Sequence, residues 1–310
     1  MNKLYKVAKI SKQAFHQQKK RENVFNERLS ILLEEVAILR SVHPGCGVEK
    51  MYDTLRPDWI GRDRFIETMM GLGYRVKIIK NYTKTTIPVS KKYPNLIEGM
   101  LLWDKDMLWQ SDITFIRIGT SFLYLVFIVD VYTKQILGYQ ASDHLRASAN
   151  LAALKMAINK RRGNIEGLVH HSDRGSQYVE KQYTGLLENK GVHISMGNKA
   201  QENAYAERVN GIIKNEYLTY WQIKDLSMLR RLLHRAINHY NSKRIHSSLP
   251  NKKTPNAFEQ ELISLKGQER PTVIVYADGN LKLKEASIHL EFLPEKKPRA
   301  HVCPIINESQ

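Results

Sequence analysis

Apolar positions along the chain change period three times, and each change predicts a different kind of element. Leu29, Leu32, Leu33, Val36 and Leu39 recur at three- and four-residue steps, which predicts one face of an amphipathic helix. His43-Pro-Gly interrupts that pattern. Two short helices are expected next, from about Val48 to Leu55 and from Arg62 to about Leu72, separated by Pro57 and Gly61 and closed by Gly73. Two short helices about a tight turn are compatible with helix-turn-helix geometry, in which the second helix enters the major groove. Arg62 and Arg64 stand at its start, where base or phosphate contacts would be made. From 81 to 106 no period is visible, and Pro88 and Pro94 mark a linker.

From Trp109 the pattern turns β-rich. Ile113-Thr-Phe-Ile, the run from Phe122 to Val129 and Ile136-Leu-Gly-Tyr read as three strands separated by Gly119-Thr120 and Thr133-Lys134. A helix over Arg146 to Lys160, a strand at Leu168-Val-His-His, a helix over Lys181 to Asn189, a strand at Val192 to Met196 and a helix over Asn203 to Tyr217 complete the order β-β-β-α-β-α-β-α. That order predicts an α/β fold, a mixed sheet with helices packed on it. A further helix is expected over Leu226 to Tyr240. The last stretch has one β-like segment, Thr272 to Tyr276, and a turn at Asp278-Gly279. The resulting division is a basic all-α region over 1–80, a linker over 81–106, an α/β core over 107–260 and a C-terminal tail over 261–310.

Charge sharpens this picture. The 310 residues carry a formal +17, which favours a polyanionic partner because cations on phosphates release condensed counterions. Residues 1–100 hold 19 Lys and Arg against 10 Asp and Glu, and residues 101–260 hold 22 against 14. The last fifty balance, so the first two regions are the ones expected to face nucleic acid. Every charged residue from Met1 to Arg21 is basic, compatible with either a solvated end or a DNA-contacting arm. Two cysteines, Cys46 and Cys303, are too few for a disulfide framework or a thiolate zinc site, and a reducing cytoplasm is the expectation. The apolar run from Phe122 to Val131 contains Asp130 and is too short for a membrane span.

Three acids fall at the ends of predicted elements: Asp112 in the first strand, Asp173 where a later strand ends, and Glu207 one turn into a helix. Each alone reads as a surface acid or a cap. Converging at one sheet edge, they would hold two hard divalent cations through oxygen. Cations roughly 3.5–4 Å apart can stabilise both the attacking and the leaving oxygen of an in-line phosphoryl displacement. Asp130 also ends a strand beside the first. His170 and His171 point to opposite faces of a strand and cannot easily share one metal, with His170 the core-facing one.

Trp109-Gln-Ser-Asp-Ile-Thr, His171-Ser-Asp-Arg-Gly-Ser-Gln-Tyr, Asn203-Ala-Tyr-Ala-Glu-Arg-Val-Asn-Gly, Tyr240-Asn-Ser-Lys-Arg-Ile-His and Thr254-Pro occur in that order over about half the chain. Together they resemble the integrase catalytic core of bacterial insertion-sequence transposases, of the OrfB type in the third insertion-sequence family. The resemblance implies an RNase H-like fold with Asp112, Asp173 and Glu207 as a DDE triad holding Mg²⁺, for which Mn²⁺ substitutes. It leaves Asp130 outside that triad. The step of 34 from Asp173 to Glu207 is shorter than is usual in that family, the difference falling in the loop around Gly197 to Gln201.

Lys214, two helical turns after Glu207, resembles the integrase lysine that contacts DNA near the reacting phosphate. Arg208 and Asn210 lie on adjacent faces within reach of phosphates. His171 is expected behind the metals, and Asn203 as the cap of the helix carrying Glu207. Glu216 has a different helical phase and reads as surface. Arg244 is expected on DNA or, with His246, packed on the core. His43-Pro-Gly-Cys-Gly and Gly71-Leu-Gly-Tyr fit the helix-turn-helix-like segment that precedes the core in this family.

The implied activity is Mg²⁺-dependent donor-strand cleavage and 3′-hydroxyl strand transfer at the ends of a mobile element. Terminal inverted repeats and target DNA are the implied partners. A homo-oligomer on DNA, fusion to an upstream DNA-binding product and residence on the bacterial nucleoid are further expectations. Two alternatives stay open: a catalytically inactive DNA-binding derivative, and a nuclease of the same fold without strand transfer.

Overall fold

The three- and four-residue apolar spacing lies on α1 (Lys12–Val42), which buries Leu32, Val36 and Leu39. The computed structural model describes residues 11–76, 93–162, 164–197, 200–275 and 281–283. Lys3, Lys6 and Lys9, the linker with Pro88, part of the shortened loop (198 and 199), the Asp278-Gly279 turn and Cys303 lie outside the described residues. Ser11 caps α1 by accepting the Ala14 amide at 3.0 Å, so Lys12, Lys19, Lys20 and Arg21 are helical.

After α1 come α2 (Val48–Leu55) and α3 (Arg62–Gly71), joined by residues 56–61, longer than a tight helix-turn-helix connection. Met51, Phe65 and Met69 close a small core with α1. The chain divides into two compact units, Met1–Ile78 and Ile79–Gln310.

In the second unit the expected linker ends early. Ile97 is buried, and β1 (Leu101–Leu102) pairs with a strand near the other end of the chain. The main sheet contains β2 (Leu108–Ile118), β3 (Ser121–Asp130), β4 (Ile136–Ser142), β5 (Val169–Ser172) and β6 (His193–Met196), in the order β4-β3-β2-β5-β6. The β2–β3 hairpin closes through Gly119-Thr120, with Gly119 at φ +57°, the backbone that a two-residue primed turn requires. β3 and β4 are antiparallel to their neighbours, whereas β2, β5 and β6 run parallel.

Parity divides the sheet into two faces. Trp109, Val126 and Ile128 face a core with α4 (Ala147–Lys160) and α5 (Lys181–Glu188). Leu108, Leu125, Phe127 and Val129 face a second core with α6 (Ala204–Glu216), α7 (Leu226–Ser242) and α8 (Pro255–Ser264). The β4–α4 packing is close: a Cβ on Gly138 would lie 2.0 Å from the Ala153 carbonyl oxygen. β7 (Val273–Val275) joins β1 and β8 (Leu281–Leu283) in a three-stranded sheet. The main sheet, with three antiparallel strands followed by two parallel ones and helices on both faces, is the RNase H-like arrangement.

Candidate active site

α6 lies along β2 in register. Two strand residues advance about 6.6–6.8 Å and four helix residues about 6 Å, so alternate positions of β2 can meet every fourth position of α6. Gln110 Oε1 accepts the Ala206 amide at 3.2 Å, Asp112 Oδ2 accepts from Asn210 Nδ2 at 2.7 Å, and Thr114 Oγ1 accepts from Lys214 Nζ at 3.3 Å. The even residues of β2 therefore carry the polar contacts on the face toward α6. Glu207, in the first turn of that helix, is exposed.

Asp173 follows the end of β5. The parallel register aligns Gln110 with His171 and Ser111 with Ser172, which puts the next pair, Asp112 and Asp173, on the same sheet face. Asp173 Oδ1 accepts the Gly175 amide at 3.0 Å, and a 3₁₀ turn, Ser176–Tyr178, follows. Tyr178 is buried, with its hydroxyl 3.0 Å from Ser111 Oγ, so that turn is tied to the residue before Asp112.

Asp112 feels the charges of the other two acids. Desolvation, and then the charges of Asp173 and Glu207, push the Asp112 carboxyl well above the usual range. The Ile113 amide and Asn210 oppose that rise. Desolvation and Asp173 raise Glu207 as well. Among the described residues no group of three His, Cys, Asp or Glu side chains is placed closely enough to hold a metal ion as it stands. Asp112, Asp173 and Glu207 are all hard oxygen donors, and that donor chemistry fits Mg²⁺ or Mn²⁺ rather than a softer metal.

The neighbours of the three acids take different places. Lys214 lies on the acidic face, 5.1 Å from the Phe115 ring centroid, and desolvation lowers its pKa. Arg208 is exposed. His171 is buried, its Nδ1 2.8 Å from Ser195 Oγ, and desolvation with His170 beside it pushes its pKa down to about 3. His170 faces the other core and meets the Tyr183 hydroxyl at 3.0 Å.

Asn210 is not placed to grip phosphate: it is buried, and its amide is committed to Asp112. Asn203 does not cap α6 with its side chain. Its Nδ2 instead donates to the Ser111 carbonyl at 2.9 Å, tying the helix start to β2. Arg244 is not a DNA-facing cation: its Nε and Nη2 each lie 2.7 Å from a Glu216 carboxylate oxygen, and it is 6% exposed. Glu216 is correspondingly half-buried rather than a free surface acid.

Asp130 turns away to a different task. It accepts from the Asp106 amide and from Thr133 N and Oγ1, beside Arg161. Burial and Asp106 push its pKa up to about 6.

In the N-terminal unit, Arg62 and Arg64 are exposed at the start of α3, as expected. Arg62 pairs with Glu49 at 3.3 Å, and the Arg64 guanidinium lies 4.4 Å from the Phe25 ring centroid. Sequence reading missed that Arg64 shares a groove of about 710 Å³ with Lys20, Arg21, Arg28 and Trp59. It missed Gln110 too, whose only signal was an amide on the inward face of a largely apolar strand.

A family model described as an integrase core domain matches residues 105–201, and a second of the same description matches 190–255. The chain is 32% identical over 211 residues to the uncharacterized 31 kDa protein of insertion element IS600 from Shigella sonnei, covering 65% of this chain and 76% of that one. The chain belongs to the insertion-sequence transposases with an integrase core. It is thus a polynucleotidyl transferase of the transposase and integrase kind. It is also 34% identical over 142 residues to the transposase of insertion sequence IS629 from Shigella sonnei, and there the match spans 45% of this chain and 47% of the relative. Against the putative IS986/IS6110 transposases of mycobacteria the match spans 52% of the relative at 29% identity. The chain therefore spans about half the length of several relatives that it matches. Among solved structures it is similar to the HTLV-2 integrase catalytic core domain in complex with magnesium, with a TM-score of 0.42 and 18% identity, covering 53% of this chain and 99% of that one.

Proposed function

We propose that Asp112, Asp173 and Glu207 form a divalent-cation site with which the protein cleaves a donor DNA strand at the ends of a mobile element and joins the exposed 3′-hydroxyl to a second phosphodiester. The observation that supports this reading is that the β2–β5 register puts Asp112 and Asp173 on one sheet face, beside the helix that carries Glu207, with Asp112 raised by burial and by the charges of the other two. Carboxylates that repel one another gain from a bound cation, because the cation offsets the repulsion that raises Asp112 and Glu207. When bound, two Mg²⁺ ions would activate the attacking oxygen and stabilise the leaving one. Asn210 orients Asp112 through its short hydrogen bond. Lys214, on the same face two turns after Glu207, supplies a positive charge for a strand phosphate, and exposed Arg208 a second. In the first step a water oxygen attacks phosphorus and the 3′ oxygen of the broken bond leaves as the free hydroxyl; in the second that hydroxyl attacks another phosphorus, and the 3′ oxygen of the broken target bond leaves.

The N-terminal unit, with Arg62, Arg64 and the basic side of α1, is the DNA-gripping part of this proposal. Terminal repeats and target DNA are its partners, two copies are needed to hold two ends, and fusion to an upstream DNA-binding product would add contacts. The setting is the bacterial cytoplasm, on the nucleoid. The test is incubation of purified protein with end-bearing DNA and Mg²⁺ or Mn²⁺. Nicked and joined products are expected. Binding without either product would indicate an inactive derivative, and cleavage without joining a nuclease.

A further inference from the structure

The start of α6 is held in an unusual way. The first amides of a helix have no partner within it and are normally met by the side chain at the N-cap. Here the N-cap residue, Asn203, has φ −106° and ψ 19° and gives α6 no side-chain bond. Its amide goes to the Ser111 carbonyl instead. The role is filled from another element: Gln110 Oε1 accepts the Ala206 amide at 3.2 Å, while Gln110 Nε2 donates to the Glu202 carbonyl at 3.3 Å. Gln110 is 1% exposed. One side chain of β2 thus clasps the backbone on both sides of the helix start.

We propose that Gln110 is a positioning residue, fixing the separation between Asp112 and Glu207; this rests on the reading of both as cation ligands. Gln110 and Asp112 share a face of one strand, about 6.6–6.8 Å apart along it. Glu207 directly follows the amide that Gln110 holds. No other side chain among the described residues accepts from the first turn of α6. Without the clasp, the buried Ala206 amide loses its side-chain acceptor and the half-buried Glu202 carbonyl loses one donor, and the first turn can shift or fray with Glu207 on it. Groups that orient ligands in this way typically contribute about 10–100-fold to metal affinity.

The test is Mn²⁺ binding to the full chain, followed by the electron paramagnetic resonance of free Mn²⁺, for wild type, Gln110→Met, Glu207→Gln and the double variant. Met keeps the volume and removes both hydrogen bonds. Gln110→Met should weaken binding about tenfold or more, and the double variant should bind no more weakly than Glu207→Gln alone. Wild-type Mn²⁺ affinity in Gln110→Met would overturn the proposal, as would a loss that adds in full to that of Glu207→Gln. A residue that merely supports the fold would lower the melting temperature without this dependence on Glu207. Should Gln110→Met fail to fold by circular dichroism, Gln110→Asn, which keeps an amide but falls short of both partners, is judged by the same criteria. Undiminished binding in Glu207→Gln would instead refute the reading of Glu207 as a ligand, and the proposal with it.

Discussion

Asn210→Leu removes one donor at the candidate site and leaves a side chain of nearly the same shape. Asn210 Nδ2 lies 2.7 Å from Asp112 Oδ2, and the Asn210 Oδ1 is buried without a partner among the described residues. The substitution therefore deletes a single bond and strands no acceptor of its own. A hydrogen bond to a charged group contributes about 1.5–3 kcal/mol. That bond is already made without a cation, so its loss acts on affinity through the orientation of Asp112, an effect of about 10–100-fold. The direction of the pH effect follows from the same bond. Burial and the charges of Asp173 and Glu207 raise the Asp112 carboxyl, and Asn210 opposes them by favouring the ionised form. Its loss lifts that carboxyl further, so a cation must displace a proton that is held more tightly, and the rising limb of the pH–rate profile moves to higher pH. The assay is the initial rate of strand nicking against Mn²⁺ concentration at several pH values. An unchanged activation constant together with an unchanged limb would refute the link between Asn210, Asp112 and the cation.

Two further perturbations probe parts that the site depends on. Arg244→Met takes from the half-buried Glu216 the guanidinium that meets both its oxygens and should cost about 3–5 kcal/mol of stability in denaturant unfolding, while DNA affinity per folded molecule stays unchanged; normal stability with lost DNA binding would return Arg244 to the DNA surface. Gly138→Ala drives a methyl group to 2.0 Å from the Ala153 carbonyl oxygen, so β4 and α4 must move apart. A loss of about 1–3 kcal/mol is expected, read as a lower melting temperature, and an unchanged melting temperature would show that the contact is looser than it stands here.

The fold was legible where the signal is local. Alternation in the strands and the three- to four-residue spacing in the helices gave the element order, whereas the shared face of Asp112 and Asp173 needed the β2–β5 register. What stayed hidden depends on partners far along the chain. Asn203 resembles a cap because caps are read from neighbours, yet its amide goes to Ser111. Arg244 resembles a phosphate ligand because its sequence surroundings are basic, and only the fold brings Glu216 to it. The linker was drawn too long because Leu101 and Leu102 become a strand only when Val273 and Ile274 pair with them. Gln110 gave no local reason to be noticed, since its partners, Glu202 and Ala206, belong to another element.

The central claim is that three carboxylates act together on DNA phosphodiesters. Asp112→Asn, Asp173→Asn and Glu207→Gln remove one ionisable oxygen each and nearly preserve shape. Strand nicking and joining on end-bearing DNA with Mg²⁺, measured beside DNA binding by gel shift, tests the claim most directly. Each variant should lose both products while binding DNA as wild type does. Retained joining in any one of them would contradict the account, removing that residue from the triad.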